Sequence, residues 1–325
     1  MLRHARFSRL LSLAVLLQLP HAANVAAQPP PYLGQWGTNG SGPGQFAYPY
    51  DVSVDAAGFV YVSDANNGRI QKFTGNGAYL MSWGSYGSGD GQFLGPAGAA
   101  FDVNGDVFVA DYSNHRVQVF NSAGIYLRQF GGLGSGPGQL YWADGVALDA
   151  AGNVYVGDQY NDRIQVFTSA GAFVRQWNVG DGPIDSPGAV AVDASGEVYV
   201  ADQNNCRIQV FSSEGVYLRG WGALGSTIGN FQYPHGVALD AAGNVYVADS
   251  YNNRIQVFTR TGEFLTQWGA AGIGPGKFDS PFGVAVDGDG NVFVADTWNH
   301  RIQKFGPLVT DVRSTTWGAL KALYR

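Results

Sequence analysis

The chain of 325 residues holds a single cysteine, Cys206. One thiol can neither close an internal disulfide nor build a zinc finger, so stability must come from packing and strand pairing. Charge is scarce as well: 14% of residues are Asp, Glu, Lys or Arg, with 25 acidic against 19 basic. Nucleic acid needs a basic face to meet its phosphates, and this balance argues against it as a partner. The apolar run Leu10 to Leu19 is too short to cross a bilayer, so no transmembrane span is expected. Histidine is sparse beyond residue 27, at His115, His235 and His300 only.

The surroundings of that apolar run give it a meaning. Arg3, His4, Arg6 and Arg9 precede it and the small residues Val25-Ala26-Ala27 follow, so residues 1–27 read as a signal peptide cut near Ala27. Its removal leaves 16 basic against 25 acidic side chains, and the product is expected to be secreted or held in the periplasm or cell envelope. No cysteine follows for lipid attachment. Residues 28–31, with Pro29-Pro30-Pro31, form a Pro-rich linker that favours an extended spacer.

The 47 glycines and many aromatics fit an all-β fold with tight turns. The stretch Val60 to Phe73 shows how it is organised, because close copies return five times. Its aspartate recurs as Asp64, Asp111, Asp158, Asp202, Asp249 and Asp296, at spacings of 47, 47, 44, 47 and 47 residues. An arginine follows five positions later in every copy: Arg69, Arg116, Arg163, Arg207, Arg254 and Arg301. Within one period, Gly236 to Asp240 and Val245 to Asp249 flank a hairpin turn, Arg254 to Phe258 alternates with period two, and Phe264 to Trp268 follows a second turn. Each period therefore holds four short antiparallel strands. Six such sheets bury both faces only by stacking radially, as a six-bladed β-propeller spanning residues 32–305. The last copy stops after its third strand at Phe305, whereas Tyr32-Leu33-Gly34-Gln35-Trp36-Gly37 before the first copy matches a fourth. The N-terminal strand is thus expected to join the last blade and close the ring.

These residues resemble the NHL-repeat family of six-bladed propellers, whose repeat is similar to Gly-Val-Ala-Val-Asp, Val-Tyr-Val-Ala-Asp and Asn-x-Arg-Ile-Gln-Val-Phe. Members include protein and RNA binders, peptide-amidating lyases and bacterial sensor domains, so the resemblance implies a fold more narrowly than a function. Ubiquitin-ligase members act through a RING, which one cysteine cannot supply.

A residue pair present in every blade belongs to the scaffold, and the Asp–Arg signature is read as the structural turn between second and third strands. Gly40 to Phe46 and its counterparts are connections between blades, shorter by three residues before blade four. Asp102 to Asp106 and Asp287 to Asn291 hint at calcium loops, but they align with ordinary hairpin turns and lack the register of an EF-hand.

Function is sought where blades differ. The loops between second and third strands, and those entering each innermost strand, share one face. They place there Tyr48, Tyr50, Tyr112, His115, Tyr141, Trp142, Asp144, Tyr160, Asp162, Tyr233, His235, Tyr251, Phe282, Trp298 and His300. Tyr and Trp pair flat apolar area with a polar tip, which suits stacking on sugars or gripping a peptide or protein loop. The preferred reading is an exported binding module for a glycan or a peptide/protein, monomeric and needing no cofactor. The alternative is an extracytoplasmic metal-dependent lyase or hydrolase with His235 and Asp144 in the central channel and zinc or calcium bound. Tyr233-Pro234-His235-Gly236 resembles a segment of the amidating lyases, although a single histidine of their set is matched. No nucleophile is framed by a positioned base, so catalysis is the second choice. Residues 306–325 form a tail in which Trp317, Leu320, Leu323 and Tyr324 fall on one helical stripe.

Overall fold

The computed structural model describes residues 27–309. Residues 1–27, read above as a signal peptide, lie outside them except for Ala27, and so do Trp317, Leu320, Leu323 and Tyr324 of the tail. Six four-stranded antiparallel sheets stand in a ring. Blade one runs from the axis outward as Pro49–Val54, Val60–Asp64, Arg69–Phe73 and Tyr79–Trp83. The innermost strands of the other blades are Pro96–Phe101, Ala143–Leu148, Pro187–Val192, Pro234–Leu239 and Pro281–Val286, and each touches the next in cyclic order. Closure occurs as the split repeat requires: Tyr32–Trp36 is the outermost strand of blade six and pairs antiparallel with Arg301–Phe305, setting Trp36 against Ile302. Outside that strand Gln28 bridges Val309, and the Ala27 N–H bonds the Leu265 carbonyl at 3.0 Å.

The second and third strands of most blades are buried along their length, as at Val107–Asp111 and Arg116–Phe120. Their apolar residues face both neighbouring blades, so the core is divided among blade interfaces. Phe46, Val62 and Phe73 of blade one, for example, pack with Phe293 and Ile302 of blade six. Burying side chains of this size stabilises by about 1.5–3 kcal/mol each. The tryptophan ending an outermost strand keys one blade to the next. A Cβ at Gly77 would stand 2.7 Å from the Trp36 ring, and one at Gly215 2.7 Å from Trp177, so glycine in that turn lets the indole seat.

The hairpin turns hold themselves together. Asp287 Oδ1 accepts the N–H of Asp289 at 3.0 Å and of Asn291 at 2.8 Å, which commits the carboxylate to the turn. The shortened connection before blade four folds into a minimal ladder, Val179–Gly180 against Gly182–Pro183.

Candidate functional site

The signature turns line one face of the ring, and their polar atoms are occupied. Asp64 Oδ1 accepts the Ala47 N–H at 2.7 Å, while Oδ2 accepts Arg69 Nε at 2.7 Å and Gln71 Nε2 at 3.1 Å. Arg69 Nη2 then donates to the carbonyls of Gly42 and Gln45 at 2.8 and 3.0 Å, lashing the incoming glycine-rich loop to its blade. The six Asp–Arg pairs span 2.6–2.8 Å with every carboxylate fully buried. Arg163 and Arg254 each add a bond to an outer-strand glutamine, Gln176 and Gln267. Burial pushes the Asp249 carboxyl up, against the donors that hold its charged form. These groups are scaffold, committed to bonds within their own blade and its incoming loop.

Two further rings of positions lie on the same face, and both carry left-handed backbone. The residue entering each innermost strand is Tyr48, Gly95, Trp142, Ser186, Tyr233 or Ser280, with φ between 47° and 74°. The residue before each signature arginine is Gly68, His115, Asp162, Cys206, Asn253 or His300, with φ between 53° and 62°. In four blades the second ring clamps the first across the blade boundary. His115 Nδ1 accepts the Trp142 N–H at 3.0 Å, Asp162 Oδ1 that of Ser186 at 2.9 Å, Asn253 Oδ1 that of Ser280 at 2.8 Å, and His300 Nδ1 that of Tyr48 at 3.2 Å. His115 and His300 therefore act as neutral acceptors that hold neighbouring blades, with His300 doing so across the closure.

The aromatic residues form a rim. Tyr112 stacks on Trp142 with centroids 5.4 Å apart, Trp142 meets Tyr160 edge-on at 5.0 Å, and Tyr160 lies 4.3 Å from Tyr141. Tyr233 stacks on Tyr251 at 4.9 Å, and Tyr48 meets Trp298 at 4.8 Å. The outer members stay open, Tyr160 at 58%, Tyr251 at 53% and Trp298 at 51% exposure. Inside the rim is a polar centre at the mouth of a channel of about 260 Å³. One position of the innermost strand, where the register shifts in all six blades, holds Tyr50, Ala97, Asp144, Gly188, His235 or Phe282. Three of these converge: His235 Nε2 lies 2.8 Å from Tyr50 Oη and 3.4 Å from Asp144 Oδ2, and Tyr50 Oη donates to Asp144 at 3.3 Å. Phe282 stacks on the imidazole at 4.7 Å. Burial first, and the Asp144 charge second, hold the Tyr50 hydroxyl well above its usual pKa, so it stays a neutral donor.

Five stretches of the chain, residues 46–73, 93–120, 185–211, 231–258 and 278–305, match the NHL repeat model. The chain is an NHL-repeat propeller. No curated protein matches it. Among solved structures it is similar to a protein of unknown function from Bacteroides thetaiotaomicron (TM-score 0.66, 18% identity, 84% of this chain and 76% of that one). It is similar also to a gluconolactonase from Xanthomonas campestris (0.61, 13%, 87% and 98%) and to virginiamycin B lyase from Staphylococcus aureus (0.58, 14%, 84% and 98%). At these identities the likeness is one of fold.

The NHL propeller also carries groups at its centre that the repeat pattern did not single out. Asp51 lines the channel where four other blades have glycine, Gly98, Gly145, Gly236 and Gly283, and blade four has Ala189. Glycine is needed there because each innermost strand runs against the next: a Cβ at Gly236 would lie 2.3 Å from the Phe282 carbonyl, and one at Gly283 would lie 2.5 Å from Asp51 Oδ1. The channel leaves Asp51 partly accessible, yet the surrounding strands withdraw it from bulk water and push its pKa up to about 7. Gln159 and Gln203, just after the signature aspartates, are buried and extend the network. Gln159 Nε2 donates to Asp144 at 2.9 Å and to Gln203 Oε1 at 3.2 Å, and Tyr112 donates to Gln159 Oε1. Gln203 Nε2 has no partner among the described residues. The signal was there to be read, since the residue after each signature aspartate varies as Ala65, Tyr112, Gln159, Gln203, Ser250 and Thr297. Among the described residues no three His, Cys, Asp or Glu side chains are placed to hold a metal ion.

Proposed function

We propose that this NHL propeller is an exported binding module that recognises a glycan free of acidic groups across its aromatic loop face. The observation that carries the reading is that Tyr48, Trp142 and Tyr233 hold left-handed backbone at a position where the other blades have glycine or serine. Any residue but glycine costs about 1–2 kcal/mol there, a cost that Ser186 and Ser280 share, so the backbone does not ask for an aromatic ring and the three rings are read as serving a ligand. The rings those residues anchor supply flat apolar surfaces, and Tyr50, Asp144 and His235 supply directional hydrogen bonds between them, the pairing of chemistries that a sugar presents. The arginines of the signature turns are committed to their aspartates, which disfavours an anionic ligand.

The test is a glycan and peptide array with calorimetry on the mature protein. Glycan signal is expected, with affinity falling roughly 3–10-fold for each of Tyr160→Ala, Tyr251→Ala and Trp298→Ala. A blank glycan array, or equal signal from the three variants, sinks the reading. Export rests on the basic start and apolar run of residues 1–27, and N-terminal sequencing of protein recovered outside the cytoplasm checks it.

The approach of His235, Tyr50 and Asp144 favours a second reading, acid–base chemistry at the channel mouth, for which the lyase and lactonase folds above are the relevant relatives. His235 and Asp144 are also the groups a zinc or calcium ion would have to use. Turnover in a lyase and lactone-hydrolase panel, with stoichiometric metal lost together with activity in His235→Ala, would replace the binding reading.

A further inference from the structure

The aromatic rim is interrupted at blade four, and there the loop face opens into a cleft of about 470 Å³. Trp142 and Tyr160 form one side, Asp162, Asp185 and Asn204 line the rest, and the buried amide of Gln159 belongs to the lining as well. The two rings are held in place by their neighbours, Trp142 by its stack on Tyr112 and Tyr160 by Tyr141. Each carboxylate has one oxygen committed to a neutral donor: Asp162 Oδ1 accepts the Ser186 N–H at 2.9 Å, and Asp185 Oδ1 accepts Asn204 Nδ2 at 2.9 Å. The second oxygen of each has no cation among the described residues, because the guanidiniums of these two blades, Arg163 and Arg207, are bound to Asp158 and Asp202. Burial first, and then the charges of Asp185, Asp202 and Asp158, raise the Asp162 pKa against the Ser186 N–H that lowers it.

The other five blade boundaries serve as internal controls. The positions equivalent to Asp162 are Gly68, His115, Cys206, Asn253 and His300, and those equivalent to Asp185 are Ala47, Leu94, Tyr141, Gln232 and Asp279. Only the boundary of blades three and four sets two carboxylates side by side, and it does so against exposed aromatic surface. The blade-boundary clamp does not explain the charge, since Asn253 makes the same bond without one.

We propose that this cleft is the subsite for a cationic group of the ligand, and, resting on the glycan reading, that the group is the protonated amine of an amino sugar. The ammonium takes the free oxygens of Asp162 and Asp185, and the adjoining sugar ring lies against Trp142 and Tyr160. Aromatic faces and carboxylates both favour a cation and both reject an anion.

The experiment uses the mature protein and three oligosaccharide probes of equal length, measured by calorimetry at pH 6: a glucosamine oligomer, its fully N-acetylated form and a cello-oligosaccharide. The glucosamine oligomer is expected to bind about 10-fold more tightly than the other two, with the preference shrinking at 0.5 M salt. The variant carrying Asp162→Asn and Asp185→Asn keeps the clamp, as Asn253 does in blade five, and is expected to lose the preference without a lower thermal melt. Equal binding of the three probes, or a preference surviving in the double variant, overturns the amine subsite and leaves the glycan reading standing. Binding of none of them, with a lysine-rich peptide captured instead and lost in the double variant, overturns both.

Discussion

The signature turns and the channel mouth are built on the same six blades, yet their equivalent positions hold opposite patterns. Asp64 and its five counterparts are one residue with one set of partners, each carboxylate gripping an arginine and each arginine gripping an incoming loop. Tyr50 and its counterparts are Ala97, Asp144, Gly188, His235 and Phe282, six different side chains on nearly the same backbone. The turn does an identical job six times, and a carboxylate at zero exposure tolerates no loss of a partner. The mouth is joined once, through Tyr50, Asp144 and His235 from three different blades, so no repeated bond holds its six positions to one residue. Asp51 lies between the two regimes: it occupies a position where the scaffold otherwise has glycine or alanine, and it does so inside the channel.

This contrast can be broken most directly at the turn. Asp158→Ala leaves the Arg163 guanidinium buried without its carboxylate and is expected to destabilise by about 3–5 kcal/mol in urea unfolding. The same change at Asp249 should cost a similar amount, and a loss under 1 kcal/mol at either site would mean that the turns are not equivalent scaffold.

Asp51→Asn should act in the opposite direction. Because the folded pKa of Asp51 lies near 7, above its unfolded value, the folded state holds a proton that the unfolded state releases, and stability is lost as pH rises through that window. Replacing the carboxyl by an amide is expected to stabilise by about 1–3 kcal/mol at pH 8, after discounting for water in the channel, with little effect at pH 4. Melts that move in parallel at both pH values would remove Asp51 from the buried class.

A smaller effect is expected at the clamps. His115→Ala should lose about 1 kcal/mol, most of it restored by His115→Asn, which supplies the acceptor that Asn253 supplies in blade five. Burial lowers the His115 pKa, so its contribution is whole above the unfolded value near 6.5 and is lost as pH falls below it. The wild-type melt should therefore decline from pH 7.5 to pH 5.5 more steeply than that of His115→Asn. The smallest effect on folding belongs to the rim, where Tyr160→Ala and Trp298→Ala should change stability within about 0.5 kcal/mol while weakening ligand binding. A large loss of stability in either would mean that the exposed rings are packing.

Much of the fold was legible in the residues because its signals are local and repeated. The 47-residue period, the hairpin turn between Asp240 and Val245 with its counterparts, and the unpaired third strand at Phe305 specify the blades and the closure without any distant contact. The candidate site was legible only as a face. Reading by blade placed Tyr50, Asp144 and His235 on one side, but it did not bring them within hydrogen-bonding distance, because they come from blades one, three and five. Nor did it separate His115 and His300, which clamp blades together, from Tyr160 and Trp298, which face solvent. Asp51, Gln159 and Gln203 went unmarked because they sit one place from the positions that draw the eye.

By itself, then, the amino-acid sequence determined six four-stranded blades, the turn that braces each and the strand that seals the ring, since the alternation of apolar residues and the spacing of turn residues act within one repeat. Tertiary structure alone decided which variable side chains meet at the axis, which charges are neutralised and where the rim is open. Those outcomes depend on residues brought together from different blades, and the closing of the ring is what brings them together.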